Sequence, residues 1–259
     1  MMSRLDTLKE KLAKREPVLS TTLVNLGWTG LVQKIAASSV DFLVYDLEHG
    51  TLSIEGIEDG LRVARLTDLP TVVRIPDCVP HLISKTLDMG ADGILVPRVE
   101  RLEQVETAIR CARYYPRGRK GCGGFSNLRA EDQGSVERYN DNRLIFIQME
   151  SNEGLAILPE ILEKYASELA GVIIGPYDTS IMIGTPLDIL SDEMTDFIRK
   201  VFETCAAAGV SCGSFVDDET MIPRYRDLGG NIFWTATDMG LFGTGLKSLC
   251  KAFQKETGK

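Results

Sequence analysis

The chain has 259 residues but no run of about 18 consecutive apolar ones, so no segment reads as a membrane-spanning helix. Its six cysteines (78, 111, 122, 205, 212 and 250) form neither a C-x-x-C pair nor a Cys/His zinc spacing. They read as reduced thiols of a cytosolic protein. The N-terminal stretch MMSRLDTLKEKLAKREP is charged and helical, without the apolar core of a secretory signal, and a cytoplasmic location is the expectation. Positive charge is in deficit: 29 Lys and Arg against 37 Asp and Glu give a net charge of −8. Such a surface repels nucleic acid and anionic lipid, so neither is an expected partner. An anionic ligand would need a local cationic pocket. Histidine is nearly absent, with only His49 and His81.

Short apolar runs of β-forming residues recur along the chain. They are VLSTTLV (18–24), DFLVYD (41–46), TVVR (71–74), DGILVP (92–97), LIFIQME (144–150), GVIIG (171–175), VSCGSF (210–215) and NIFWTA (231–236). Helical periodicity separates them. The clearest case places Met194, Phe197, Ile198, Val201, Phe202 and Cys205 on one face behind Ser191 as N-cap, with Asp192 and Glu193 in the first turn. Ile54, Ile57, Leu61 and Ala64 repeat the scheme after Ser53, and Gly90, Gly209 and Gly229 stand where helix C-caps are expected. Eight nearly continuous apolar strands alternating with helices, in about 250 residues, predict an α/β fold, a (β/α)8 TIM barrel forming a single domain over 1–259. A doubly wound open sheet is the competitor, but NLGWTG after the first run is not a G-x-G-x-x-G turn. No linker, repeat or low-complexity tract interrupts the pattern.

In such a barrel the chemistry gathers at the C-terminal ends of the strands. The second run ends in Asp46, Glu48 and His49, the third in Arg74, and the fifth in Gln148 and Glu150; Asp178 follows the sixth closely. Glu150 and Asp178, two carboxylates with no cysteine or second histidine near them, suit a hard divalent ion that keeps positions open for water or substrate. Taken singly, each also reads as a salt-bridge, cap or turn residue. Arg74 ends an apolar strand, where a guanidinium is costly unless paired. It either binds a carboxylate or developing oxyanion, or forms an internal ion pair with Asp46 or Glu48. His49, on a loop at a strand end, is the candidate imidazole base, and His81 behind Pro80 reads as structural. Glu48 fits a supporting role as well as a catalytic one. The segment 115–143 is long for an αβ connection, and its GRKGCGGFSNLR glycines, Gly123 and Gly124 among them, allow a backbone to approach a ligand; a plain flexible loop is the other reading. The turns after the last two runs lack a glycine-rich phosphate cradle.

FLVYDLEHG, VVRIP, LDMGADGILVPRVE, RKGCGG, IQMESNEGL and GVIIGPYDTS occur in an order and spacing that resembles the HpcH/HpaI aldolases, class II pyruvate aldolases on a barrel scaffold, over residues 18 to 240. The resemblance implies that Glu150 and Asp178 bind a divalent metal cation (Mg2+, Mn2+ or Co2+), that Arg74 steadies an enolate oxygen and that His49 takes part in proton transfer. It further implies that Asp88 partners that histidine across a subunit boundary, that Gln148 stands on the pyruvate side, and that the protein is a homo-oligomer, a hexamer. Asp88 carries no such signal of its own, since an aspartate at a helix C-terminus looks like surface. Against the family pattern, Gly124 stands where a serine hydroxyl is common, Tyr177 where smaller residues are common and Thr179 where leucine is usual. Trp28 adds bulk near the first strand end.

The reading is a metal-dependent carbon–carbon lyase that cleaves or forms a 4-hydroxy-2-keto acid, giving pyruvate and an aldehyde, with the metal and Arg74 stabilising the pyruvate enolate. None of the eight runs contains lysine, which argues against a Schiff-base aldolase. A citrate-type synthase or CoA-ester lyase, and a non-catalytic keto-acid-binding barrel, are the alternatives.

Overall fold

Each of the eight apolar runs becomes a strand, with boundaries within two residues of those expected. The computed structural model describes residues 2–258. The strands are β1 (Val18–Leu23), β2 (Phe42–Asp46), β3 (Thr71–Arg74), β4 (Gly93–Val96), β5 (Leu144–Met149), β6 (Gly171–Ile174), β7 (Cys212–Val216) and β8 (Ile232–Thr237). All pairings are parallel, and β1 pairs with both β2 (Thr22 opposite Val44) and β8 (Val18 opposite Ile232), which closes the barrel. The open-sheet alternative is thereby excluded. The helices are α1 (Arg4–Ala13), α2 (Thr29–Ala36), α3 (Glu58–Leu66), α4 (Pro80–Asp88), α5 (Leu102–Ala112), α6 (Val136–Asp141), α7 (Asn152–Tyr165), α8 (Pro176–Met182), α9 (Asp192–Ala207), α10 (Met221–Asp227) and α11 (Asp238–Thr257). None is long and apolar enough to cross a membrane among the described residues.

Two apolar layers follow from the alternation of side chains along each strand. One parity faces the helices. There the predicted α9 stripe of Met194, Phe197, Ile198, Val201, Phe202 and Cys205 is buried, behind Ser191, whose hydroxyl accepts from Met194 N–H at 3.2 Å. The other parity fills the barrel with Phe42, Val44, Val72, Phe146, Ile173, Ile232 and Trp234. Phe42 stacks on Phe146 at 5.6 Å, and Leu5, Leu8 and Leu12 of α1 close the same interior cluster from below. Gly90, Gly209 and Gly229 take φ of +104°, +71° and +96°, as their C-cap positions require.

The same parity carries the site. Counting by twos from Phe42 and Val44 leads to Asp46; from Val72 to Arg74; from Leu144 and Phe146 to Gln148 and Glu150. These four polar groups are therefore the topmost inward residues of three strands, and the register sets Asp46 directly beside Arg74.

The long segment after α5 does not belong to that mouth. Each helix runs antiparallel to its preceding strand, so α5 returns the chain to the N-terminal face of the barrel. There Arg113 donates to Arg143 O at 2.9 Å, and Arg129 Nε donates to Asp92 Oδ1 at 2.6 Å just before β4. Any ligand that the glycines of residues 115–143 approach is therefore not one in this subunit's own mouth. The segment's place between a helix and the next strand already assigns it to the N-terminal end.

Candidate active site

Asp46 organises the second strand end. Its Oδ1 accepts from Glu48 N–H at 3.0 Å and His49 N–H at 3.2 Å, which folds the chain back at once and turns His49 toward the mouth. The same oxygen accepts from Arg74 Nε at 2.9 Å, and Oδ2 accepts from Arg74 Nη2, completing a two-point fork. Arg74 Nη1 lies 3.3 Å from Glu48 Oε2, and Glu48 Oε1 lies 3.2 Å from Arg98 Nη2. The internal ion pair expected as one reading of Arg74 is therefore present. Burial opposes the guanidinium's charge, but Asp46, Glu48 and Glu150 outweigh it and raise its pKa above the ordinary value. Glu48 is accounted for as the bridge between two arginines. Burial pushes its carboxyl up, partly offset by Arg74 and Arg98.

Glu150 is in a different position. It is 3% exposed, and it forms no ion pair among the described residues. Burial first, then the neighbouring Asp178 and Glu48 carboxylates, push its pKa to about 8, against smaller opposing contributions from Arg74 and from Gln148. Gln148 Nε2 donates to Glu150 Oε1, while Gln148 Oε1 is fully buried without a partner. The two side chains fit only because residue 175 is glycine. A Cβ there would overlap Glu150 Oε1 and come within 2.5 Å of Gln148 Nε2. In sequence GPYDTS reads only as a turn; the need for Gly175 arises from the strand alongside, which periodicity does not reveal.

Asp46, His49, Arg74, Gln148, Gly175, Tyr177, Asp178 and Trp234 line one cavity of about 1200 Å³ at the C-terminal face. Of the strand-end candidates, Asp46, His49, Arg74, Gln148 and Asp178 line this cavity; Glu48 and Glu150 are not in its wall, Glu150 lying against Gln148 and Gly175, which are. The Tyr177 hydroxyl donates to Asp217, and its pKa is pushed up to about 12 by burial and by that bond. Thr179 is spent internally, donating to Gly175 O at 2.7 Å. Asp238, which sequence reasoning passed over, accepts from the N–H groups of Val24, Asn25 and Leu26 at 3.1, 2.9 and 2.7 Å and so fixes the loop after β1. Trp28 caps α2 and is 69% exposed, and His81 is exposed on the first turn of α4.

Three residues named from the sequence are not brought to this mouth. Asp88 ends α4 and so lies at the opposite, N-terminal face, where its Oδ1 accepts from Lys120 Nζ. Gly123 and Gly124 pack against it: Gly124 has φ +72°, and a Cβ on it would lie 2.6 Å from Asp88 Cα. A serine at position 124 would be excluded on both counts. Within one chain, then, Asp88 cannot orient His49, and the His49 imidazole has no hydrogen-bond partner among the described residues.

The donor set can be weighed against a divalent cation. No group of three or more His, Cys, Asp or Glu side chains is placed to hold a metal among the described residues. What exists is a pair, buried Glu150 and exposed Asp178, each without a basic partner. The strand-end carboxylates (46, 48, 150 and 178) outnumber the guanidiniums beside them (74 and 98), and Asp217, Asp218 and Glu219 against Lys247 add to the excess of negative charge in the cavity wall, which favours a cation. Hard oxygen donors with room left for water and substrate suit Mg2+ or Mn2+ rather than zinc. The residues fit the ion.

A family model described as HpcH/HpaI aldolase/citrate lyase matches residues 24–243. The hydroxypyruvate/pyruvate aldolase of Roseovarius nubinhibens is 30% identical over 92% of this chain and 93% of its own. Among solved structures, an HpcH/HpaI aldolase from Desulfitobacterium hafniense superposes with a TM-score of 0.86 at 25% identity, covering 95% of this chain and 96% of that one. The citrate synthase SbnG superposes at 0.83, also 25% identical, covering 97% and 99%.

Gly175→Ala tests the packing around Glu150. Its φ of −90° accepts alanine, so the fold should survive, while Glu150 and Gln148 must separate. Mn2+ affinity, measured by calorimetry, should fall about 10–100-fold, as when an oriented ligand loses its support. Wild-type affinity would show that the close approach does not matter.

Proposed function

The chain belongs to the HpcH/HpaI aldolase/citrate lyase family, and on that premise we propose that it is a metal-dependent aldolase. It cleaves, or forms, a 4-hydroxy-2-keto acid, with pyruvate and an aldehyde as the other side of the reaction. The observation that carries this reading is Glu150, buried at the mouth without a cation beside Asp178 and within the field of Arg74. The name of the Roseovarius relative, an aldolase acting on hydroxypyruvate and pyruvate, supports it.

A divalent ion held by Glu150 and Asp178 would supply a Lewis acid that makes negative charge on the keto oxygen less costly. The protein's own groups do the rest. Of the five guanidinium N–H donors of Arg74, two go to Asp46 and one faces Glu48, which leaves two for the substrate's carboxylate or developing enolate oxygen. His49 takes the proton of the 4-hydroxyl. The C3–C4 bond then breaks, its electron pair moves into the enolate and the aldehyde leaves. The proton on the imidazole returns to C3 and gives pyruvate. Gln148 lines the cavity and, through its Nε2 bond to Glu150, holds that carboxylate in place. Tyr177 lines the side of the cavity where the aldehyde would stand. The six free cysteines suit a reducing cytoplasm.

We propose further that copies of the chain assemble and share this site. Asp88, Gly123 and Gly124 sit together at the face away from their own mouth, and His49 lacks an orienting partner. Helix α11 buries only Asp238, while Met239, Leu241, Phe242, Leu246, Leu249 and Phe253 are exposed, an apolar surface that a second copy would cover. A condensing enzyme is the second reading, favoured by the likeness to a citrate synthase; acyl-CoA consumption would mark the CoA-dependent form of it.

Two measurements test the proposal. Pyruvate with a panel of aldehydes should give aldol product that disappears with excess EDTA and returns with Mg2+, Mn2+ or Co2+; full activity after verified metal removal would end the class II assignment. His49→Ala should lower cleavage about 10²–10⁴-fold. Asp88→Asn should slow the same step. Mixing and reassembling the two variants should restore activity well above either alone, whereas no recovery would show that the two residues do not meet across copies.

A further inference from the structure

Trp234 lies on β8 at 4% exposure and faces into the barrel, two residues above Ile232 on the same parity. Its orientation is fixed from two sides. The indole N–H donates to Thr22 Oγ1, and the Phe215 ring packs edge-on at 5.5 Å and 87°. Against the face left open stands Arg74, whose guanidinium carbon is 5.1 Å from the centre of the indole. Both side chains line the mouth cavity, together with Thr22 and Phe215.

This geometry completes the account of how Arg74 is held. A guanidinium presents its donors in one plane, so the direction of its free N–H groups depends on the tilt of that plane. The bonds to Asp46 grip one edge and Glu48 faces Nη1, but these in-plane contacts leave the face of the guanidinium unsupported. A flat, electron-rich face resting against the cation supplies that support, and in a buried site it stabilises the charge without consuming a donor. A small or aliphatic residue at 234 would leave a gap beneath Arg74 that water could enter and hydrogen-bond to the N–H groups meant for the substrate. We infer that Trp234 is a positioning residue: it sets the plane in which Arg74 presents its two remaining donors to the keto acid. The inference rests on the aldolase reading of the mouth. It adds a residue whose apolar character marks it, in sequence, only as core.

The test separates the electrostatic role of the ring from its bulk. Mono-, di- and trifluorinated tryptophans placed at position 234 alone keep the shape of the indole while progressively weakening its attraction for a cation. KM for pyruvate in metal-saturated aldol condensation should rise stepwise along this series, with kcat changing less, because Arg74 holds the keto acid in both ground and transition states. Trp234→Leu should raise KM about 10–30-fold, up to the worth of one desolvated cation–π contact, and Trp234→Phe should recover most of the loss. Thr22→Val, which frees the indole to turn without opening the core, should shift KM in the same direction by less, and it serves if Trp234→Leu fails to fold. A flat fluorination series, or equal KM for the Leu and Phe variants, would overturn the inference and leave the aldolase reading standing. A wild type that forms no aldol product from any aldehyde would overturn that reading and this inference together.

Discussion

A carboxylate sealed from water needs a counter-charge, and the mouth of this barrel is arranged around one that lacks it. Among the described residues Arg74 is the guanidinium that acts on Glu150, and its fork is occupied by Asp46 while its outer edge faces Glu48. Arg98 answers the other oxygen of Glu48. The two cations are thus engaged, and Glu150 is left with an amide, Gln148, and a second acid, Asp178. Without metal, burial favours the protonated acid, and the proposed cation site rests on Glu150 being the one buried acid of this cluster with neither arginine as an ion-pair partner among the described residues. Gly175 and Asp46 follow from the same constraint, the first by letting the carboxylate stand where it does, the second by keeping Arg74 from neutralising it.

The barrel supplies this arrangement through closure and parity. Because β1 joins β8, every strand has a fixed inside, and the inward residue above the last apolar layer must face the mouth. That is why Asp46, Arg74, Gln148 and Glu150 converge although they lie on three strands spread over a hundred residues of chain. Beneath them the stacked Phe42–Phe146 pair and the Leu5, Leu8 and Leu12 face of α1 keep the interior dry. The rigidity of that floor is what allows a polar cluster above it to keep one geometry.

Much of this was legible from residue types alone. Buried parallel strands must be apolar throughout, so all eight could be read from their runs, and the α9 stripe with its Ser191 cap was visible for the same reason. The polar strand ends stood out because they interrupt that rule. What escaped was information that belongs to neighbours in space. Gly175 is required by a side chain on the adjacent strand, and Trp234 looks like any core aromatic until Arg74 is seen beside it. Asp88 was named only by resemblance, as a partner of His49 across a subunit boundary, and α4 and α5 carry it and the Gly123–Gly124 turn to the other end of the barrel. Local sequence cannot show which copy of the chain a residue serves.

The central claim, that Glu150 is kept for a cation, is tested most directly by titrating the metal-free protein with Mn2+ calorimetrically in buffers of different ionisation enthalpy. With its pKa near 8 in the absence of metal, Glu150 is mostly protonated at pH 7, and a metal ligand must be ionised. The account predicts a single ion bound per chain with release of close to one proton at pH 7, falling toward none by about pH 9, and loss of this release in Glu150→Gln. Absence of Mn2+ binding, or binding at pH 7 with no proton released, would contradict it.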